Sequence, residues 1–516
     1  MRFPELSKRR QHLIRSFAIF LISTLILCGL ANAQTRQDKF LEGKVNQYVD
    51  ELTKKLPVTP GLAVAIVRGD KIVFVKGFGY RNVKAKLPVT RDTRFYIAST
   101  TKSFTATAAK LLADEGKFDL DAPIKKYFPN LLLKAPLSAE QITVRDLLTH
   151  RSGIVNEAIN FRAAYSGQID NDITLDLLAN YGRSVSPEFR YSNIGYIVSA
   201  VAMEKATGET WQQIVERKII VPMNLKSTSA FASKSKTSGD FALPYLAENG
   251  TFTELPYKDD STMHAAGGMV SSADDLAKWV MVNMNGGKLE GKQIIPAASL
   301  EEILAPQINQ KRDFYKFKRY GYSLGWNIGT YNGDKFIHCF GEFAGFRPHV
   351  SFMPEHRTGV VVLVNESTEA FLLPDLIATD IYDYLIYGKP LQTNANPKID
   401  ELIASLEKER TEKAKKASTG SSGTKDGARL TLEPGTYAGT YENREWGKII
   451  ITADGKMLSA KFGSLSSSLI PVTTDTFEVT FVTSQINKIS FKIESTGNVS
   501  GLAFMGQTFA KVQPGS

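Results

Sequence analysis

The sequence predicts an α+β fold: an antiparallel sheet flanked by helices, with a helical subdomain, followed by a small all-β barrel or sandwich. Three observations predict it. Apolar runs rich in Val and Ile stand near both ends of residues 34–391, the stretch between them is mostly helix and loop, and the chain beyond about residue 430 reads almost purely as strand. Strands at both ends with helices between imply one sheet that joins the two ends of the segment.

The elements follow in order. Leu41 to Leu56 has helical spacing, and Pro60-Gly61 breaks it. LAVAIVRGDKIVFVKGFGYRN (62–82) is two strand-like runs about Gly69-Asp70, a β-hairpin. Ser99 to Glu115 turns helical, with Ala106, Ala108, Ala109, Leu111 and Leu112 on its apolar positions. Strand signals return around the Asn332-Gly333 turn and again in HVSFMPEHRTGVVVLVNES (349–367), and Leu372 to Tyr387 reads as a closing helix. Residues 392–430 carry Asn, Pro, a charged helix and then a Ser/Gly/Thr run, and are expected to be a linker. Residues 431–516 hold short alternating runs with Asp454-Gly455 and Gly497-Asn498 turns. The division is therefore 1–33, 34–391, 392–430 and 431–516.

Composition narrows the class. The chain has 516 residues, 43% hydrophobic and 22% charged, which excludes a mainly disordered chain, a collagen-like fibre and a disulfide-stapled scaffold. The formal net charge of +10 first suggests nucleic acid or an anionic membrane, but part of it is local to the N-terminus. Arg2, Lys8, Arg9, Arg10 and Arg15 precede the apolar run FAIFLISTLILCGL (17–30), which ends in Ala31-Asn32-Ala33. A basic start, a short apolar run and an A-x-A site make a secretory signal peptide, and 14 residues fall short of the ~20 that a spanning helix needs. Cleavage after Ala33 leaves 58 basic and 52 acidic residues, a net charge of +6, and Cys339 as the one thiol. The expected location is periplasmic or secreted, with no stable membrane span after cleavage. The remaining basic clusters, Lys311 to Arg319 and Lys408 to Lys416, read as solvated faces, and no nucleic-acid-binding signature accompanies them.

The residues that carry chemistry begin with Ser99-x-x-Lys102, where the pattern enters a helix. At that spacing both side chains share a helix face. A serine hydroxyl needs a base to become nucleophilic, and a lysine held in a cleft can lose its charge and serve as one. Tyr191-Ser192-Asn193 adds a phenol that can relay a proton to a leaving group and an amide that can hold a carbonyl. His338-Cys339-Phe340-Gly341 and Gly345 lie on a late strand, where glycine lets a substrate approach and a strand N–H can complete an oxyanion hole. His264, His349 and His356 have no metal-ligand spacing, so no metal and no cofactor is expected. Arg347 can offer charge to a substrate carboxylate or stand as a surface strand arginine.

These motifs resemble the serine β-lactamase and penicillin-binding family, in its class C-like esterase and D-peptidase branch, over roughly residues 40–385. The hairpin sequence at 60–82, ITVRDLLTHRSGI (142–154), AAGGMVSSADDLAKW (265–279) and GVVVLVNES (359–367) resemble family signatures and occur in family order about the Ser99 motif. The resemblance implies that Ser99 is acylated, that Lys102 and Tyr191 share the acid and base work, and that Asn193 holds the substrate amide. It implies that His338 stands where many members carry the lysine of K-T-G. The oxyanion hole would use the N–H of Ser99 and one on the His338 strand. Gly341 comes one place later than an H-x-G spacing puts it, so either the strand is bulged or Phe340 N–H is the donor. Lys236-Thr237-Ser238-Gly239 lies in the middle segment with its glycine one place late, and is set aside.

The resulting expectation is an exported serine hydrolase that forms an acyl-enzyme on Ser99. Its substrate would be a small ester, or a peptide containing D-amino acids, including cell-wall-derived ones. The rival enzyme is a D,D-carboxypeptidase or weak β-lactamase. The rival from another class is a penicillin-recognising binding or sensing protein with slow or no turnover. Neither nucleic acid nor a membrane is an expected partner.

Overall fold

The computed structural model describes residues 39–186, 188–248, 250–419, 430–482 and 485–513. The expected signal peptide and Cys28 lie outside the described residues. Among the described residues no helix is long and apolar enough to cross a membrane.

The first unit opens with helix α1 (residues 39–55) and the hairpin β1 (Gly61–Arg68) and β2 (Lys71–Asn82). Helices α2 (Thr101–Asp114), α3 (Asn193–Thr207) and α4 (Ala273–Met284) follow. Six strands then run consecutively: β3 (Ile308–Phe314), β4 (Phe317–Tyr322), β5 (Asn327–Tyr331), β6 (Asp334–Phe340), β7 (Arg347–Met353) and β8 (Thr358–Val364). Helix α5 (Leu373–Tyr387) closes the unit. The sheet order is β3-β4-β5-β6-β7-β8-β1-β2, with the short strand Leu87–Pro88 on the edge, and every pairing is antiparallel. The late strand β8 thus pairs with the early β1, Val64 facing Val362.

The sheet is covered on both faces, which is why β1 reads as a continuous apolar run. Leu62, Val64 and Ile66 enter a core with Leu41, Val45, Leu376 and Ile381, between the sheet and the terminal helices. Ala63, Ala65 and Val67 enter the other core, with Phe104, Trp279 and the helical middle of the chain. There the Phe104 and Trp279 rings stack 4.2 Å apart. The candidate site lies on this second face.

Residues 392–430, expected as linker, are not linker throughout. Helix α6 (Pro397–Thr419) occupies much of the stretch, and Ile399, Leu402 and Leu406 are buried in the core that holds α1 and α5. An i, i+3, i+7 apolar stripe is enough to seat the first half of a helix that is otherwise charged.

Among the described residues the C-terminal unit has nine strands: β9 (Gly439–Asn443), β10 (Gly447–Asp454), β11 (Met457–Phe462), β12 (Leu465–Ser468), β13 (Ile470–Thr473), β14 (Thr476–Val482), β15 (Gln485–Ile493), β16 (Val499–Phe504) and β17 (Gln507–Lys511). Their order, β12-β11-β10-β9-β17-β16-β15-β14-β13, makes a nearly closed antiparallel barrel. The ends of this order are β12 and β13, and near them the Thr480 N–H of β14 donates to Ser467 Oγ of β12 (3.0 Å). Alternate residues such as Ile449, Ile451, Phe462 and Phe509 fill the interior, and Ala158 of the first unit is part of the same core.

Candidate active site

The Ser99 side chain is placed by a short irregular entry into α2. Ala98 has a φ of +43°, a region an alanine adopts only at some cost, and a single 3-10 turn, Ala98–Thr100, leads into the helix. Ser99 is half-buried among buried neighbours and opens into a cavity of about 460 Å³. The positive end of the α2 dipole lies beside it.

Lys102 stands one turn on and is 1% exposed. Its Nζ lies 3.1 Å from Ser99 Oγ, and it donates to Asn193 Oδ1 and to the Ala266 carbonyl, both at 2.7 Å. Among the described residues no carboxylate forms an ion pair with it. Burial therefore acts unopposed and holds its pKa well below the usual lysine value. A neutral amine has two N–H donors and one lone pair. The two short bonds use the donors, which leaves the lone pair for the Ser99 hydroxyl.

Tyr191 and Asn193 arrive together at the start of α3. Ser192 caps that helix, its hydroxyl accepting from the Ile194 N–H (3.2 Å), and the Ser192 N–H donates to Nδ1 of buried His150 (3.1 Å). The His150 ring lies 4.5 Å from the Tyr191 ring, and Lys102 Nζ stands 4.7 Å from the centre of that ring. Tyr191 keeps 43% of its surface exposed while its hydroxyl end is desolvated. That burial raises the phenol to about 12, against the opposing effects of a Ser99 hydrogen bond and of Arg319. Asn193 gives its oxygen to Lys102, so its amide nitrogen is the end available to a substrate carbonyl.

The late strand corrects the expectation for His338. Its register with β7 is even, His338 facing Ser351 and Phe340 facing His349, so β6 has no bulge here. Side chains alternate between faces, and His338 and Phe340 point to the face away from Ser99. The His338 ring is fully buried, stacked 4.2 Å from Phe340 and tilted against Phe336 at 5.1 Å, and its Nε2 accepts from Arg319 Nε (3.2 Å). Burial, then Arg319, holds it well below the usual histidine value, so it carries no charge. Cys339 and Gly341 face the Ser99 side. Cys339-Phe340-Gly341 is the tripeptide with K-T-G spacing, with a buried thiol in the first place. A Cβ on Gly341 would stand 2.5 Å from the Ile97 carbonyl and 2.9 Å from Ala98 Cβ, so only glycine lets the strand approach the Ser99 turn this closely. Gly341 N–H is spent on the Pro348 carbonyl (3.2 Å). Alternation sends the N–H groups of Phe340 and Glu342 to the other edge, and Glu342, unlike Phe340, lines the cavity.

Arg347 is not a surface arginine. It is 2% exposed, pairs with Asp375 (3.1 Å) and donates to the Gly341 carbonyl (2.9 Å). Asp375 also meets His349 Nδ1 (2.7 Å), and His349 Nε2 meets Ser351 Oγ (2.6 Å). This is a Ser-His-Asp sequence of contacts, but all three side chains are sealed from solvent on the far face, so it braces the sheet. Lys236 lies in the helix Ala232–Ser238, off the Ser99 cavity, with its Nζ over the Tyr257 ring (5.7 Å).

Sequence reasoning missed three groups in or beside the lining of the Ser99 cavity. His264 lines the cavity and is held neutral by burial, then by Lys258 and Lys102. Lys258 is buried with its Nζ 3.9 Å from the Phe343 ring centre, and burial brings it down to about 7. Residues of the barrel, Trp446 among them, line the same cavity as Ser99. No spacing signals such contacts, because they join segments far apart in the chain.

A family model described as Beta-lactamase matches residues 49–379, and one described as a domain of unknown function, DUF3471, matches residues 425–514. Among curated proteins the chain is similar to the unguisins hydrolase ungD' of Aspergillus campestris, 28% identical over 320 residues that cover 59% of this chain and 58% of that protein. It is similar to the protein flp of Staphylococcus aureus strain N315, 24% identical over 60% of each. The chain thus spans about three-fifths of the length of these relatives. Among solved structures, the octameric penicillin-binding protein homologue from Pyrococcus abyssi superposes with a TM-score of 0.58 at 25% identity, covering 91% of this chain and 99% of that one. The D-amino acid amidase from Ochrobactrum anthropi SV3 shares the fold with a TM-score of 0.52 at 23% identity, covering 63% and 92%.

Proposed function

The chain belongs to the β-lactamase family of serine hydrolases, and from that premise we propose that it is an exported hydrolase of small esters and of amides or peptides of D-amino acids. The observation that carries the reaction is the placement of Lys102: buried, without a carboxylate, and between Ser99 and Asn193. Neutral Lys102 takes the Ser99 proton as Oγ attacks the substrate carbonyl. The carbonyl π electrons move onto oxygen, and the oxyanion is met by the N–H groups of Ser99 and Glu342. Neither N–H is committed to a backbone bond among the described residues. The tetrahedral intermediate then collapses, the bond to the leaving group breaks, and Tyr191, protonated below about 12, supplies the leaving group's proton. Water hydrolyses the acyl-enzyme by the reverse use of the same groups.

The lining of the site bears on the substrate. D,D-peptides and β-lactams both present a carboxylate. Here the first place of the K-T-G spacing holds Cys339, His338 faces away, and the cavity lining carries Glu157, Glu342 and Glu445 against Arg183. In the cavity that Ser99 opens into, that acidic balance favours a neutral or amine-bearing acyl group. The D-amino acid amidase, which shares the fold, is named for amides of D-amino acids, and another relative is named an unguisins hydrolase.

A fluorophosphonate probe should label the wild type and not Ser99→Ala. Equal labelling of the two would falsify the mechanism. In a panel of p-nitrophenyl esters, D-aminoacyl amides, D-Ala-D-Ala peptides and nitrocefin, turnover should appear on the first two classes; nitrocefin as the best substrate would overturn the substrate assignment. For export, the mature protein should begin at Gln34, read by N-terminal sequencing, and retention of Met1 would reject it.

A further inference from the structure

One wall of the Ser99 cavity belongs to the C-terminal barrel. Glu445 and Trp446, between β9 and β10, and Met505 and Gln507, at the turn between β16 and β17, line it together with Ser99 and Asn193. The seat is built on the segment Glu157–Ser166. Arg162 Nη1 donates to the Glu445 carbonyl (3.3 Å), and Gln168 and the Lys448 backbone exchange two bonds of 2.8 Å.

The aromatic residues of this cavity form an unbroken series. The Tyr96 ring lies 5.3 Å from Phe343, Phe343 lies 5.2 Å from Tyr165, Tyr165 lies 5.5 Å from Phe161, and Phe161 lies 5.8 Å from Trp446. It starts three residues before the nucleophile and ends in the other unit. Exposed Met505 stands on the same cavity. Tyr191, which serves the leaving group, lies instead on a separate groove with Phe189, Arg190 and Arg312. The acyl half of a substrate therefore has the ring-lined side to itself.

We infer that this junction is an acyl-group subsite for an apolar or aromatic substituent, completed by Trp446 and Met505 of the barrel. The barrel sets which acyl groups the serine accepts. Rings of this kind reward a flat apolar group through burial and edge or stacked contacts. The inference rests on the acyl-enzyme reading above, because that reading defines which side is acyl.

The test varies the acyl group alone, on the full chain. Hydrolysis of p-nitrophenyl phenylacetate and p-nitrophenyl acetate is measured, each kcat/KM being divided by the ester's rate with hydroxide. The wild type should favour phenylacetate by about tenfold or more. Trp446→Ala and Met505→Ala should each lower that ratio severalfold, and Trp446→Phe should largely retain it. The Met505 variant changes an exposed residue and so reports even where loss of Trp446 unseats the barrel. A ratio equal in wild type, Trp446→Ala and Met505→Ala, with turnover still dependent on Ser99, overturns the subsite. Turnover that survives in Ser99→Ala overturns the acyl-enzyme reading instead.

Discussion

Lys102 and Tyr191 divide the proton work because burial moves them in opposite senses relative to neutral pH. Burial penalises whichever form is charged, so it lowers the lysine and raises the phenol. The lowered lysine is thereby suited to the role of base and the raised phenol to that of acid. The sign of the pH dependence follows. Activity is lost as pH falls and protonates Lys102, so the rising limb of kcat/KM should lie well below the ordinary lysine value of about 10.4. The falling limb should approach about 12, where Tyr191 ionises. A rising limb at the ordinary lysine value would remove Lys102 from the role of base. Lys102→Met keeps the stem and removes the amine, and should cost about 10²–10⁴ in kcat/KM on p-nitrophenyl acetate while still folding.

A strand carries its side chains with period two, and that rule decides what β6 contributes. His338 and Cys339 are neighbours in sequence and stand on opposite faces of the sheet, so only Cys339 can face Ser99. His338→Phe should keep kcat/KM within a factor of about three, because its ring touches no group in the cavity. A loss of a hundredfold would return His338 to the site. Burial raises the Cys339 thiol, so native protein should resist iodoacetamide at pH 8 and react once unfolded. Rapid labelling of the folded chain would contradict that placement. The same rule marks the limit of the sequence. The hairpin at 62–82, the helix after Ser99 and the closing helix were legible because local period and turn residues carry them. The facing of β6 was not, because both faces of its sheet are buried and the residues from Phe336 to Phe340 are apolar or aromatic on either side. Ser99 and Lys102 were legible because three residues of helix join them. Ala266, which accepts from Lys102 Nζ, and His264 in the cavity lining were not, because only the tertiary fold brings that loop there.

At the scale of the whole molecule, the two units share more than a tether, since Ala158 of the first sits in the core of the second and Phe161 lies between them. The polar contacts around that seat are unequal. The Arg444–Asp176 pair (3.0 Å) is exposed on both sides, and water and salt leave it little net value. The turn at Gly463 is different. It has a φ of +61°, its Cβ position lies 1.8 Å from the Ser166 carbonyl, and the next N–H, of Ser464, donates to that same carbonyl (3.0 Å). A side chain at 463 must therefore both adopt a left-handed backbone and displace a backbone oxygen of the other unit. Gly463→Ala should cost about 1–3 kcal/mol, from backbone strain and a lost contact. Arg444→Ala should cost less than about 1 kcal/mol. Calorimetry of the full chain reads the difference as a lower unfolding midpoint, or a second earlier transition, in Gly463→Ala alone. Limited proteolysis should find its barrel released sooner. If Gly463→Ala unfolds like the wild type, the barrel is not held at this turn, and the cavity wall it supplies must be fixed by the Phe161–Trp446 contact and the Gln168–Lys448 bonds.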